Sequence, residues 1–113
     1  MYDALNLTVE SFARQRTRYS QWIICLTDGQ SCHDKIVNLN ACKQLLRKSE
    51  VNLVIIGFQI PAQSVAENCC EELVRSTNID ERMGIYFHSG DQTQLEQAFS
   101  DIGDLMSAPV LLT

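Results

Sequence analysis

The sequence WIICLTDG, residues 22–29, decides the fold class. It begins with an unbroken apolar run, Trp22, Ile23, Ile24, Cys25 and Leu26, which stops at Thr27-Asp28-Gly29. A short, continuous apolar run that contains β-branched residues predicts a strand that is buried on both faces. Strands of that kind belong to parallel sheets covered by helices, so this stretch predicts an α/β protein.

Two further apolar runs follow the same rule. Val51–Phe58 is continuous until Gln59-Ile60-Pro61, where the proline ends the strand because it cannot donate to the ladder. Gly84–His88 is the third predicted strand, and Ser89-Gly90-Asp91 ends it. The chain therefore carries three predicted strands.

Apolar residues at helical spacing predict four helices, over about 2–16, 33–48, 62–76 and 91–106. Ser31 with Asp34 resembles a capping box, and Asp91 with Gln94 predicts the cap of the last helix. Strands joined through helices run parallel, with right-handed crossovers. We therefore expect a three-layer, Rossmann-like α/β fold with about three strands and four helices.

Composition excludes several classes of protein. A chain of 113 residues, 45% hydrophobic and 20% charged, is typical of one soluble domain. A net charge of −5 argues against nucleic acid as a partner. No apolar run approaches the roughly 20 residues that a membrane span needs, and no signal peptide is visible. Five cysteines, an odd number without a repeating spacing, argue against a disulfide framework and favour an intracellular location.

The run that ends in Leu26-Thr27-Asp28-Gly29 resembles the fourth strand of von Willebrand factor type A (integrin I-like) domains. Met1–Leu5 resembles the opening of the helix before that strand, and Asn52–Phe58 resembles the next strand of the family. Gly84–His88 and the helix with Leu95–Met106 resemble the family's last strand and helix. The resemblance implies that residues 1–106 are the C-terminal portion of such a domain, and that residues 107–113 form a tail.

The resemblance also implies a ligand site at the carboxyl ends of the strands, as is general for open α/β sheets. Many family members hold Mg²⁺ there through an Asp-x-Ser-x-Ser motif, a threonine and the aspartate of the Thr-Asp-Gly turn. Only Asp28 carries over, and Mg²⁺ needs several oxygen ligands. We expect Asp28 to bind metal only if residues outside this chain complete the site, so the chain alone holds no cofactor. The other residues expected on the ligand face are Thr27, Gly29, Ser31, His88 and Asp91.

The resemblance places the strand Trp22–Leu26 beside a family strand that has no counterpart in this sequence. Without that neighbour the strand becomes an apolar sheet edge, and natural proteins cover such edges. We expect the edge to be covered by the absent segment or by another copy of the chain.

The resemblance implies a protein-protein interaction module and not an enzyme. Its binding loops would be residues 27–34, 59–63 and 88–91. Two alternatives remain open. One is a small flavodoxin-like or hydrolase-like enzyme, since α/β folds host many chemistries, although Gly-rich phosphate loops and Gly-x-Ser-x-Gly elbows are absent. The other is a scaffold half-domain that assembles with another chain.

Several reactive residues have simpler explanations. Cys32, His33 and Asp34 are consecutive on a predicted helix and point in different directions, so they form no relay. Cys69 is predicted to face the core and Cys70 its flank, without Cys-x-x-Cys spacing. The cations Lys43, Arg47 and Lys48 are explained by the negative end of a helix dipole.

Overall fold

The computed structural model describes residues 2–14, 21–28, 36–78 and 82–111, and within these ranges four helices alternate with three strands. The elements are α1 Tyr2–Arg14, β1 Gln21–Thr27, α2 Ile36–Lys48, β2 Val51–Phe58, α3 Val65–Thr77, β3 Gly84–Ser89 and α4 Gln92–Leu111. The predicted α/β class and the order of elements are confirmed.

The three strands form one parallel sheet in the order β1-β2-β3. The register aligns Thr27 of β1 with Gly57 of β2, and Gly57 with His88 of β3. Since all three strands run in the same direction, their carboxyl ends meet at one edge of the sheet. The ends of β1 and β3 therefore lie in one row on either side of β2.

The central strand β2 is buried on both faces, as its sequence predicts. Leu53 and Ile55 point to the face covered by α1, α2 and α3. Val54 and Ile56 point to the opposite face, where they pack against Ala98 and Ile102 of α4. Residues 51–57 are all buried. The sheet is thus the middle layer of three.

Burial of β1 differs from the prediction. Ile23 is buried on the three-helix side, whereas Ile24 and Leu26 on the other side are 41% and 54% exposed. The prediction that this strand is buried on both faces is therefore wrong for one face. The physical reason is the position of α4, which packs on β2 and β3. Phe99 of α4 is also 48% exposed, although it lies at helical spacing from Leu95 and Ile102.

The amino edge of the sheet is held by a buried asparagine. The Asn52 amide donates to the Gln21 carbonyl at 3.2 Å, and its oxygen accepts the Met83 N–H at 2.7 Å. One side chain of β2 thereby joins the segments at the starts of β1 and β3. This explains how a polar residue is accommodated in an otherwise apolar strand, since buried polar groups need hydrogen-bond partners.

The last helix is longer than its sequence pattern predicts. α4 runs to Leu111, past Met106, and includes Pro109. No glycine follows Met106 to provide the left-handed residue that commonly ends a helix. The helix therefore extends into residues 107–111, where the sequence predicts no element.

Candidate ligand-binding edge

The carboxyl edge of the sheet brings together Thr27-Asp28 at the end of β1 and the loops that follow β2 and β3. Thr27 and His88 lie two strands apart in the same row, so their backbones are separated by about 10 Å at the usual strand spacing. Asp28 follows Thr27 and is exposed. Gly29 and Ser31, also predicted for this face, lie outside the described residues.

The N-terminus of α3 is closed by a reciprocal cap. The Ser64 hydroxyl oxygen accepts the Glu67 N–H at 3.1 Å, and the Glu67 carboxylate accepts the Gln63 N–H at 3.1 Å. This is a close variant of the capping box. The Glu67 side chain is only 16% exposed. The sequence Ser-Val-Ala-Glu at 64–67 matches the capping-box pattern, so it indicates a helix that begins after Ser64 and not at residue 62.

The N-terminus of α4 repeats the arrangement. The Asp91 carboxylate accepts the Gln94 N–H at 2.8 Å, which confirms the predicted cap. The Gln94 side-chain oxygen accepts the Gly90 N–H at 2.6 Å. The buried Ser89 hydroxyl donates to the Asp91 carbonyl at 2.9 Å. The loop after β3 is thus fixed by side chains on both sides of its turn.

His88 lies between the two caps. Its Nδ1 is 4.0 Å from the Glu67 carboxylate, at ion-pair distance when the imidazole is protonated. On its other side, a methyl group placed on Gly90 would lie 3.9 Å from His88 Nε2. The His88 side chain is 47% exposed. His88 therefore lies within ion-pair distance of the first turn of α3.

Two glutamines in the loop after β2 have left-handed backbones. Gln59 has φ 55° and Gln63 has φ 59°, a region that costs non-glycine residues energy. Gln59 N–H donates to the Ser89 carbonyl at 2.8 Å, and buried Ile60 fixes the middle of the loop. Both glutamine side chains are exposed. Backbone strain of this kind is typical of functional loops.

The described residues do not supply a magnesium site. Among them, no group of three His, Cys, Asp or Glu side chains is placed to hold a metal ion. Asp28 brings one carboxylate, whereas Mg²⁺ demands near-octahedral oxygen ligation. The donor set on this part of the edge therefore does not fit the metal by itself.

The sequence matches the family model of the von Willebrand factor type A domain over residues 1–101. The chain belongs to this family. The three parallel strands and four helices agree with the von Willebrand factor type A fold, whose members are generally interaction modules. No curated protein and no solved structure matches the chain significantly. In the described part of this von Willebrand factor type A chain, no helix is long and apolar enough to cross a membrane.

The described thiols of this von Willebrand factor type A chain belong to its core. Cys69 is 9% and Cys70 0% exposed, so the prediction that Cys70 lies on the flank is wrong. Cys42 is also fully buried, and desolvation, followed by the neighbouring Cys25 thiol, raises its pKa to about 11. A thiol that stays protonated is a poor nucleophile. Cys32, His33 and Asp34 lie outside the described residues.

Proposed function

We propose that this chain is a protein-binding module whose partner surface is the carboxyl edge of the sheet. We define that surface, the binding edge, as Thr27-Asp28, residues 59–63 and residues 88–91. Val65 at the start of α3 adds a side chain that is 62% exposed. An exposed apolar residue beside polar loops is the composition of many protein interfaces.

The observation that carries this proposal is the way the loops are fixed. The caps of α3 and α4 and the hydrogen bond from Gln59 to Ser89 hold both loops in one arrangement. His88 and Glu67 connect the two loops. Because ordering loops on binding costs free energy, a surface that is already ordered binds a partner more tightly for the same contacts.

Paired glycine substitutions test the proposal. Glycine adopts left-handed backbones readily, so Gln59→Gly with Gln63→Gly removes two exposed side chains and relieves strain. Partners are captured from extracts with the wild-type chain, identified by mass spectrometry, and measured directly with purified components. We expect the double variant to weaken binding by at least about tenfold, as loss of a good contact does. Asp104→Ala, at an exposed position of α4, is the matched control and should retain wild-type affinity. A partner that binds the double variant as tightly as the control would place the interface elsewhere.

For the metal, we propose that any Mg²⁺ site at the binding edge combines Asp28 with oxygen ligands from outside this chain. Of the family's Mg²⁺ ligands only Asp28 is present in this sequence, and Mg²⁺ needs several oxygen ligands, so calorimetry of the chain alone with Mg²⁺ should show no saturable binding. In a protein that supplies the other ligands, Asp28→Ala should abolish Mg²⁺-dependent partner binding. Mg²⁺-dependent binding that survives this substitution unchanged would remove Asp28 from the ligand set.

A second surface favours self-association. Within the described residues β1 is the end strand of the sheet, and its Ile24 and Leu26 are exposed. We propose that this edge is covered by a further strand, from an absent segment or from a second copy of the chain. Light scattering after size exclusion should show association that rises with concentration. Leu26→Lys should reduce association, whereas Leu7→Lys, at a leucine that is 68% exposed on α1, should not. A wild-type chain that stays monomeric at all concentrations would contradict the second-copy arrangement.

A further inference from the structure

A cationic pocket lies between α2 and α3, away from the binding edge. It has a volume of about 220 Å³ and is lined by Lys43, Arg47, Glu72, Arg75 and Ser76. The last turns of α2 and α3 come shortly before the starts of β2 and β3 in the chain. The pocket therefore lies towards the edge of the sheet where the strands begin, opposite the binding edge. Since about 10–15 Å³ of such space holds one water molecule, a small hydrated anion fits inside.

The charge of this pocket is opposite to that of the chain. The chain carries a net charge of −5, whereas three cations and one carboxylate line the pocket. A local concentration of one sign of charge in a concave site raises the local concentration of the opposite ion. The pocket therefore favours an anionic ligand against the overall charge of the protein.

The lining cations keep hydrogen-bond donors that the described residues do not use. Lys43 lies 3.9 Å from the Glu72 carboxylate, a distance too long for a hydrogen bond. Arg75 donates its Nε to the Glu71 carbonyl at 3.4 Å, and its NH2 lies 3.9 Å from the Glu71 carboxylate. Among the described residues, the Arg47 guanidinium has no ion pair. Guanidinium groups present planar pairs of donors that match phosphate oxygens.

Compensation of helix dipoles does not account for this arrangement. The carbonyls at the end of α2, those of Leu46, Arg47 and Ser49, accept hydrogen bonds from the Arg82 guanidinium. Arg47 is therefore not needed as their donor. Lys43 lies about one turn before the end of α2, where the dipole effect is already weak.

We propose that this pocket, the α2–α3 pocket, binds a phosphoryl group. Arg47 and Arg75 would provide forked donors and Lys43 a point charge, whereas the buried Ser76 hydroxyl already donates to the Glu72 carbonyl at 2.9 Å. The negative charge of Glu72 would repel the anion and thereby keep the binding affinity moderate. The phosphoryl group comes either from free phosphate or from a phosphorylated side chain of a bound protein. The pocket lies apart from the binding edge, so this proposal does not depend on the proposed function.

Nuclear magnetic resonance titration of the full chain tests the proposal. The probes are inorganic phosphate and blocked O-phosphoserine, each at constant ionic strength, with blocked serine as the uncharged control. We expect saturable shifts at Lys43, Arg75 and Ser76, and none with blocked serine. Tighter binding of phosphoserine would identify a protein side chain as the source. Equal or tighter binding of phosphate would identify the free ion.

Matched variants distinguish a specific phosphoryl-binding site from non-specific electrostatic attraction of anions. Arg47→Gln with Arg75→Gln should weaken phosphoryl binding at least about tenfold, whereas Lys48→Gln, an exposed cation outside the pocket lining, should change it less than about twofold. Glu72→Gln should strengthen binding several-fold, because it removes the only acid of the pocket lining. The proposal is overturned if neither probe saturates at millimolar concentration. It is also overturned if Lys48→Gln alone weakens binding as much as the double variant does.

Discussion

Substitution of Gly84 by alanine tests how closely β3 packs against α3. A Cβ at Gly84 would overlap the Val74 carbonyl oxygen and lie 2.6 Å from the carbonyl carbon. The oxygen is the closer of the two atoms, and non-bonded carbon and oxygen atoms stay at least about 3 Å apart, so α3 would have to move by more than about 1 Å. The Val74 carbonyl is part of the backbone and cannot rotate away as a side chain would.

The cost of this movement follows from what holds that carbonyl. It accepts hydrogen bonds from the Thr77 hydroxyl at 2.8 Å and from the Asn78 N–H at 3.1 Å, at the buried end of α3. Overpacking of a core costs about 1–3 kcal/mol, and a weakened buried hydrogen bond adds about 1 kcal/mol. We therefore expect Gly84→Ala to lower the free energy of unfolding by about 3 kcal/mol, and the Tm by about 10 °C or more.

Urea unfolding followed by circular dichroism measures the effect. Gly103→Ala is the matched control, because nothing lies within 4 Å of its added Cβ and the residue is exposed within α4. That substitution should stabilise the chain by about 0.5–1 kcal/mol, the usual gain for alanine in a helix. If the Gly84→Ala variant has the same midpoint urea concentration as the wild type, β3 does not approach α3 as closely as described.

Four further substitutions test other features of the fold. Ser64→Ala and Asp91→Ala each remove a helix cap and should each cost about 1 kcal/mol in urea unfolding; a cost below the error of the assay would show that these caps contribute nothing. Asn52→Ala deprives the Met83 N–H of its partner and should cost about 1–3 kcal/mol, and a thermally unchanged variant would refute the bridge between the strands. Because the pKa of Cys42 is raised to about 11, the unfolded thiol ionises near pH 9 while the folded thiol stays protonated. Stability should then fall between pH 9 and 11 by at most about 1.4 kcal/mol per unit, and Cys42→Ala should remove that slope.

The fold could be predicted from the sequence because its signals are local. Val51–Phe58 is bounded by polar residues and a proline and is apolar except for Asn52, so its limits agree with β2. The error at β1 has a different origin. Whether Ile24 and Leu26 are covered depends on where α4 lies over the sheet, and no pattern within residues 22–26 carries that information.

The candidate site was predictable only in part. The cap formed by Asp91 and Gln94 depends on two residues spaced three apart in the sequence, so it could be predicted. The contact between His88 and Glu67 joins a strand end to a different helix, so it depends on packing and not on spacing. The α2–α3 pocket is similar, because Arg47 and Arg75 converge only when their two helices pack together.

Site-specific photo-crosslinking tests the central claim, that the binding edge contacts the partner, most directly. A photoreactive residue at Gln63 places the probe on an exposed, left-handed position of this edge, and one at Asp104 places it on an exposed part of α4. We predict a crosslink to the captured partner from position 63 and none from position 104. A crosslink from position 104 without one from position 63 would contradict the assignment of the binding edge.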